Sequence, residues 1–272
     1  MTDLYAAFDR LKFDRPAPHV LRLTLSNPGK ANAITPTMHR QLEEVWAVID
    51  ADPETRVTII TGEGKAFCGG GALDDMPTGE DALDPNQRFS TDFSNATRLV
   101  RNLINARKPV VSGINGAAVG AGLALALLAD VSVASKTAKL LDGHVRIGVT
   151  AGDHAAIVWP LLCGMAKAKY YLLTNRPMTG EEAERNNLVS LAVDAEALEA
   201  TVLEIANELA AAAPTAVRMT KHVLNHWLRQ NEAIFELSAA FEMVNFSGAE
   251  AREAMAAMAE RRAPDFKTDV LF

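Results

Sequence analysis

The sequence predicts an α/β fold that ends in an all-helical region, and three observations carry that prediction. Short apolar strands alternate with helical segments through the first two thirds of the chain. Two glycine-rich turns, "TGEGKAFCGGGALDDM" and "NGAAVGAGLALALLAD", each follow a strand. From about Asp194 the strands stop and four helical segments follow, punctuated by Pro214, Asn231 and Gly248. The expected division is therefore 1–193 for the α/β part and 194–272 for the helical part.

Each element has a local cause. In "HVLRLTLSN", Leu21, Leu23 and Leu25 alternate with Arg22 and Thr24, the period of a half-buried strand that ends at the turn Asn27-Pro28-Gly29-Lys30. Thr35 is placed to cap a helix with Pro36 at its first position, and Met38, Leu42, Val45 and Ile49 recur at helical spacing up to the break "DADPETR". The cycle repeats through the strand "RVTIITG", a polar helix over Thr91 to Ala106, the strand "KPVVSGIN", an apolar helix near Gly122 to Leu128 and the strand "VSVAS". The Met and aromatic positions of the C-terminal helices fit packing against a core or a subunit partner.

Composition excludes several classes. The formal charge of -7 is spread along 272 residues with no run of Lys or Arg to neutralise successive phosphates, so nucleic acid is not an expected partner. The longest apolar stretch is rich in Gly and Ala and is broken by Asp130, which points to buried helix and strand and not to a membrane span. Only Cys68 and Cys163 are present, and the N-terminal residues lack the apolar core of a signal peptide. A reduced, cytoplasmic compartment is expected.

The glycine-rich turns admit two readings. They allow the backbone to approach a ligand and present amide N–H groups to it, and two converging turns would form an oxyanion hole for the negative oxygen of a thioester enolate. Alternatively, the glycines only permit close packing, since neither turn matches a Walker pattern or a full GxGxxG.

The order of "SNPGKANAITPTM", "VTIITGEGKAFCGGGALDDM", "KPVVSGINGAAVGAGLALALLADVSVAS", "LTNRPMTGEEAERNNLVSLAV" and "MAERRAPDF" resembles the crotonase, or enoyl-CoA hydratase/isomerase, superfamily through nearly the whole chain. The resemblance implies a spiral of ββα units with a C-terminal helical trimerisation region, assembled as a homotrimer or a dimer of trimers. It implies a lyase or isomerase of acyl-CoA metabolism, with CoA as part of the substrate and no metal or redox cofactor. Carried over by position, the oxyanion-hole donors are the amides of Gly71 and Ala121, the latter standing where many members have glycine. Lys30, Ala31, Asn32 and Ala33 correspond to the CoA-binding turn.

The sequence departs from the hydratase pattern at the chemistry itself. The two glutamates that activate water in that family would fall at Ala124 and His144, so the two-glutamate hydration cannot operate in its usual form. Ala72 replaces an Asp that often follows the first oxyanion turn. In "LLDGHVRIGVTAGDHAAIVWP", His144 is a candidate general base and Asp153 its orienting carboxylate; the other reading makes His144 a pocket wall and Asp153 the cap of the next helix. The same pattern resembles β-diketone hydrolases of the 6-oxocamphor hydrolase type, which cleave a C–C bond by a retro-Claisen reaction. For that chemistry Glu242 is the further carboxylate to place, against the alternative of an exposed helical glutamate, and His154 is the weaker candidate. Three functions stay open: an acyl-CoA enzyme using His144, Asp153 and an oxyanion hole, a CoA-independent diketone hydrolase, and a non-catalytic acyl-CoA-binding protein. The substrate pocket is expected to be shaped by 77–93 and the C-terminal helices.

Overall fold

A computed structural model describes residues 4–72 and 85–266, apart from the side chains of 85–89 and 91–92. Much of the expected pocket-shaping segment, and the Leu73–Met76 end of the first glycine-rich turn, lie outside the described residues.

The chain opens with the antiparallel hairpin β1 (Leu11–Ala17) and β2 (Val20–Leu25) and continues into α1 (Pro36–Ala51). The spiral then runs β3 (Val57–Gly62), β4 (Ala66–Cys68), α2 (Pro85–Asn105), β5 (Val110–Ile114), β6 (Ala117–Val119), α3 (Ala121–Leu127), β7 (Val131–Ser135) and β8 (Lys139–Leu141). A 3-10 turn (Val145–Ile147), α4 (Ala155–Thr174), β9 (Met178–Thr179), α5 (Gly180–Arg185) and β10 (Leu191–Val193) complete the α/β part. The helices α6 (Leu198–Ala211), α7 (Pro214–Leu224), α8 (His226–Arg229), α9 (Glu232–Phe246) and α10 (Ala249–Ala259) come last.

Each turn of the spiral gives one strand to each of two sheets. The larger has the order β1-β2-β3-β5-β7-β10 and is parallel from β2 onward; the smaller has the order β4-β6-β8-β9, with β4, β6 and β8 parallel. Both sequence-predicted strand periodicity and helix capping hold locally. Leu21, Leu23 and Leu25 are buried, and Thr35 Oγ1 accepts from Met38 N at 3.2 Å while Met38, Leu42, Val45 and Ile49 enter the core. The first helix of the C-terminal region, α6, lies on the larger sheet, packing Leu198, Val202 and Ala206 against Val20, Ile59, Val111 and Val133.

The differences have physical reasons. β4, β6 and β8 have three residues each and β9 two, too short to display an alternating pattern. β1 escapes notice because "LKFDRPA" carries three charges and Pro16, which an outer strand of the sheet tolerates. The polar helix starts at Pro85 and not at Thr91.

The hairpin is tied to the end of α1 by one carboxylate. Asp52 accepts from Tyr5 Oη (2.8 Å), Arg15 Nη2 (2.6 Å), Thr55 Oγ1 (2.6 Å) and Glu54 N (3.0 Å). Burial raises its pKa, but these hydrogen bonds outweigh burial and bring it down to about 2. The folded value lies below the unfolded one, so the stabilisation is present above about pH 4 and is lost as the pH falls toward 2. Asp52→Asn is expected to lower stability at pH 7 by about 2 kcal/mol, with the difference from the unmodified protein shrinking through that acid window in urea unfolding.

Candidate active site

Because β4, β6 and β8 are parallel and paired in near register, their C-terminal ends fall side by side. The candidate site is built from the segments that leave these ends: Gly69–Gly71 after β4, Gly120–Ala121 after β6 and Asp142–His144 after β8. Ligands in open α/β sheets bind outside such strand ends, where the backbone turns away and leaves amides unused.

The first turn is held by a parallel bridge between Ile34 and Gly71. Ile34 N donates to Gly70 O (2.8 Å) and Ala72 N donates to Ile34 O (2.9 Å), so the amide of Gly71 itself faces away from Ile34. In the second turn Gly120 takes a left-handed φ of 48° with ψ -122° and caps α3, and Ala121 opens the helix with an N–H that has no intrahelical acceptor. The unusual backbone angle thus falls on Gly120, which is why an alanine is accommodated at 121. The turns touch: a Cβ at Gly70 would stand 3.1 Å from Val119 O, and one at Gly120 would stand 3.9 Å from His144 Cε1.

The segment expected to bind CoA lies beside the first turn. Gly69 N donates to Ala31 O at 2.8 Å, and Ala31 and Asn32 both have left-handed φ, 49° and 57°. Asn32 is buried; its Nδ2 donates to Glu63 O (2.9 Å) and Ala66 O (2.8 Å) and its Oδ1 accepts from Asn27 N (3.1 Å). Its side chain therefore fixes the turn; Ala33 N donates to Lys30 O and Ala33 O accepts from Asn27 Nδ2, so the turn presents Lys30 and Ala31, both exposed, to a ligand. Burial pushes the nearby Cys68 thiol up to about 12, and the thiol donates to Asn32 O.

The acid–base groups converge from three segments. His144 Nδ1 donates to Asp142 Oδ2 at 3.1 Å. Its Nε2 stands 3.5 Å from Glu242 Oε1 and 3.8 Å from Asp153 Oδ2. Asp153 Oδ1 accepts from His154 Nδ1 at 2.5 Å. All five side chains are buried, Glu242 at 5% exposure, so it is not the exposed helical glutamate of the alternative reading. Asp153 is likewise not the helix cap: that position falls on His154, which makes no side-chain cap bond. The expected orienting role of Asp153 at the second ring nitrogen is taken by Asp142, which sequence reasoning missed. Its signal was the tripeptide Asp142-Gly143-His144, in which glycine at φ 89° lets an Asp reach the ring two residues on. Ala124, at the first absent glutamate, is buried inside α3.

Electrostatics separate the roles. Burial would lower the pKa of His144, but the charges of Asp153 and Asp142 and the hydrogen bonds to Asp142 and Glu242 outweigh it and hold the imidazolium well above its ordinary range. Burial likewise opposes ionisation of Asp153, yet His154 and His144 beside it keep it well below the usual carboxylate value. For Glu242 burial prevails over the attraction of His144, and its carboxyl is raised. Glu242 Oε2, Asp142 Oδ1 and His154 Nε2 have no hydrogen-bond partner among the described residues. Donor atoms of Asp142, His144 and Asp153 lie within 4.8 Å of one another, the one group among the described residues with the spacing of cation ligands.

The class defined by this fold and site is a ββα spiral whose strand-end turns adjoin a buried cluster of carboxyl and imidazole groups. The family model of enoyl-CoA hydratase/isomerase matches residues 17–269. (E)-Benzylidenesuccinyl-CoA hydratase of Thauera aromatica is 31% identical over 258 residues, covering 92% of this chain and 96% of that protein. 1,2-Epoxyphenylacetyl-CoA isomerase of Escherichia coli strain K12 is 28% identical over 249 residues, covering 91% and 94%. The crystal structure of an enoyl-CoA hydratase/isomerase from Pseudoalteromonas atlantica T6c aligns with a TM-score of 0.83 at 25% identity, covering 95% of this chain and 100% of that one. The chain belongs to the enoyl-CoA hydratase/isomerase family.

Glu242 reaches the site because α9 lies against the loop before α4 with no side chain between them. A Cβ at Gly152 would fall 2.4 Å from Ser238 O and 2.6 Å from Glu242 Cβ and Oε2. Gly152→Ala is expected to displace α9 and cost about 1–3 kcal/mol of stability, read as a lowered denaturation midpoint.

Proposed function

We propose that the chain acts on an acyl-CoA thioester whose carbonyl oxygen is held by the amides of Gly71 and Ala121, and that His144 and Glu242 together replace the missing pair of glutamates. The observation that carries this reading is the 3.5 Å approach of Glu242 Oε1 to His144 Nε2 beside the second amide turn. For an enoyl thioester, Glu242 takes a proton from water as its oxygen bonds to Cβ, and the electron pair moves through Cα to the thioester oxygen. The two amides stabilise that enolate more than the neutral carbonyl. His144 then delivers its proton to Cα, and the proton held by Glu242 returns to His144 across their contact, restoring the resting state. Asp142 fixes the ring through Nδ1, and Asp153, locked by His154, keeps the imidazolium charged.

A second reading is favoured by Glu242 entering the site, since that carboxylate completes the constellation expected for retro-Claisen hydrolysis of a cyclic β-diketone. There the same groups activate water toward one carbonyl while the oxyanion turns hold the departing enolate. Against a non-catalytic binding role stands the energetics: five buried ionisable groups are costly to keep where an apolar wall would serve. Assay of enoyl-CoA, β-keto acyl-CoA and cyclic β-diketone panels separates these readings. Turnover of a CoA thioester with none of a free diketone supports the first; the reverse supports the second. For the accepted substrate, His144→Ala and Glu242→Gln are each expected to lower kcat by about 10²–10⁴ with the circular dichroism spectrum unchanged, and full activity in either variant refutes its role.

We also propose assembly into trimers. Met165 and Leu173 of α4, Met219 and Val223 of α7, Trp227 of α8 and Val244 of α9 are all more than half exposed, apolar side chains that a subunit contact would cover. Light scattering coupled to size exclusion is expected to give three or six times the 29.2 kDa chain mass; a monomer would refute assembly.

A further inference from the structure

We infer that the buried cluster of Asp142, His144, Asp153 and Glu242 is also a binding site for a divalent transition-metal cation, Zn²⁺ by its donor set, and that an ion bound there blocks the site. Three carboxylates and two imidazoles share this interior, and Glu242, whose carboxyl faces His144 Nε2, has its Oε2 buried without a partner among the described residues. A buried carboxyl oxygen left unpaired is what a cation satisfies. The donors are arranged for one. Asp142 holds Nδ1 of His144, as the outer carboxylate holds the ring in a carboxylate–histidine–metal triad, and so directs Nε2 at the ion position. From Nε2 the oxygens of Glu242 and Asp153 are 3.5 and 3.8 Å away. Two bonds of about 2.1 Å meeting at a tetrahedral angle set their ligand atoms about 3.4 Å apart, so the separations from Nε2 to Glu242 and to Asp153 each approach that of two ligands on one ion, and donor atoms of Asp142, His144 and Asp153 lie within 4.8 Å of one another.

The donor set also selects the ion. An imidazole with carboxylates suits Zn²⁺, whereas Mg²⁺ and Ca²⁺ prefer oxygen ligands throughout. His144 must give up its Nε2 proton to the solvent when the ion binds, so the metal takes the place of the proton that the hydration needs. Only the blocking effect rests on the proposed function; binding does not.

The test is calorimetric titration of the EDTA-treated, exchanged protein with ZnCl₂ and, separately, MgCl₂, followed by the thioester assay with and without Zn²⁺. One equivalent of Zn²⁺ per chain is expected, with Mg²⁺ binding at least about 100-fold more weakly. His144→Ala and Glu242→Ala are expected to weaken Zn²⁺ binding by at least about 10–100-fold, while His222→Ala, on the exposed face of α7, leaves it unchanged. Absence of saturable binding, or an equivalent that survives both site substitutions with the fold intact by circular dichroism, overturns the metal site. Stoichiometric binding that leaves turnover unchanged overturns the blocking role. If no thioester is turned over, the proposed function fails, and the calorimetry still decides whether the cation site exists.

Discussion

The parallel pairing of β4, β6 and β8 is the constraint on which the site depends. Three strands of three residues carry little stability of their own, yet their register, Cys68 against Ala118 and Val119 against Leu141, decides where the chain stops being a sheet. Gly71 follows one strand end, Ala121 opens a helix at the next, and His144 follows the third. A slip of one residue in any of these strands would turn its face over and carry the adjoining turn away from its neighbours. The larger sheet and the layer of α6 upon it hold the spiral rigid enough for that register to persist.

Bringing α9 to this row of strand ends closes the site electrostatically. Ser238, Glu242 and Asn245 lie on one face of the helix at spacings of four and three, and all three engage the loop before α4. Ser238 Oγ donates to Gly152 O (2.9 Å), and Thr150 N donates to Asn245 Oδ1 (2.9 Å), one turn to either side of Glu242. Arg101 of α2 pairs with Glu236 on the same helix at 2.7 Å. The carboxylate is thus fixed from both sides before any substrate arrives, which is what lets a buried acid remain where desolvation opposes its charge.

Legibility in the sequence followed the length over which a pattern could act. α1, with its Thr35 cap and four-residue apolar spacing, and β2, with its strict alternation, could be read directly because each repeats a signal over several residues. The smaller sheet could not: its strands are shorter than the period needed to reveal them, and its existence was implied only through the resemblance of the whole chain. Gly71, Ala121 and His144 were named by position through that resemblance, and all three lie at adjoining strand ends. Asp142 was missed because an Asp two residues before a His is ordinary until the left-handed Gly143 folds the one back on the other. Glu242 could be named but not placed, since nothing within a helix says which loop its face will meet.

The combination of charges explains why the departures from the two-glutamate pattern occur together. With alanine at 124, that position of α3 carries no carboxylate, and the carboxyl that stands against His144 comes from α9, an element remote in sequence that Gly152 lets approach. With histidine at 144, the partner acid is a cation when protonated and not a neutral carboxyl, and a buried cation requires more than one anion around it. Asp142 and Asp153 meet that requirement on opposite nitrogens, and His154 in turn binds the oxygen of Asp153 that His144 does not face.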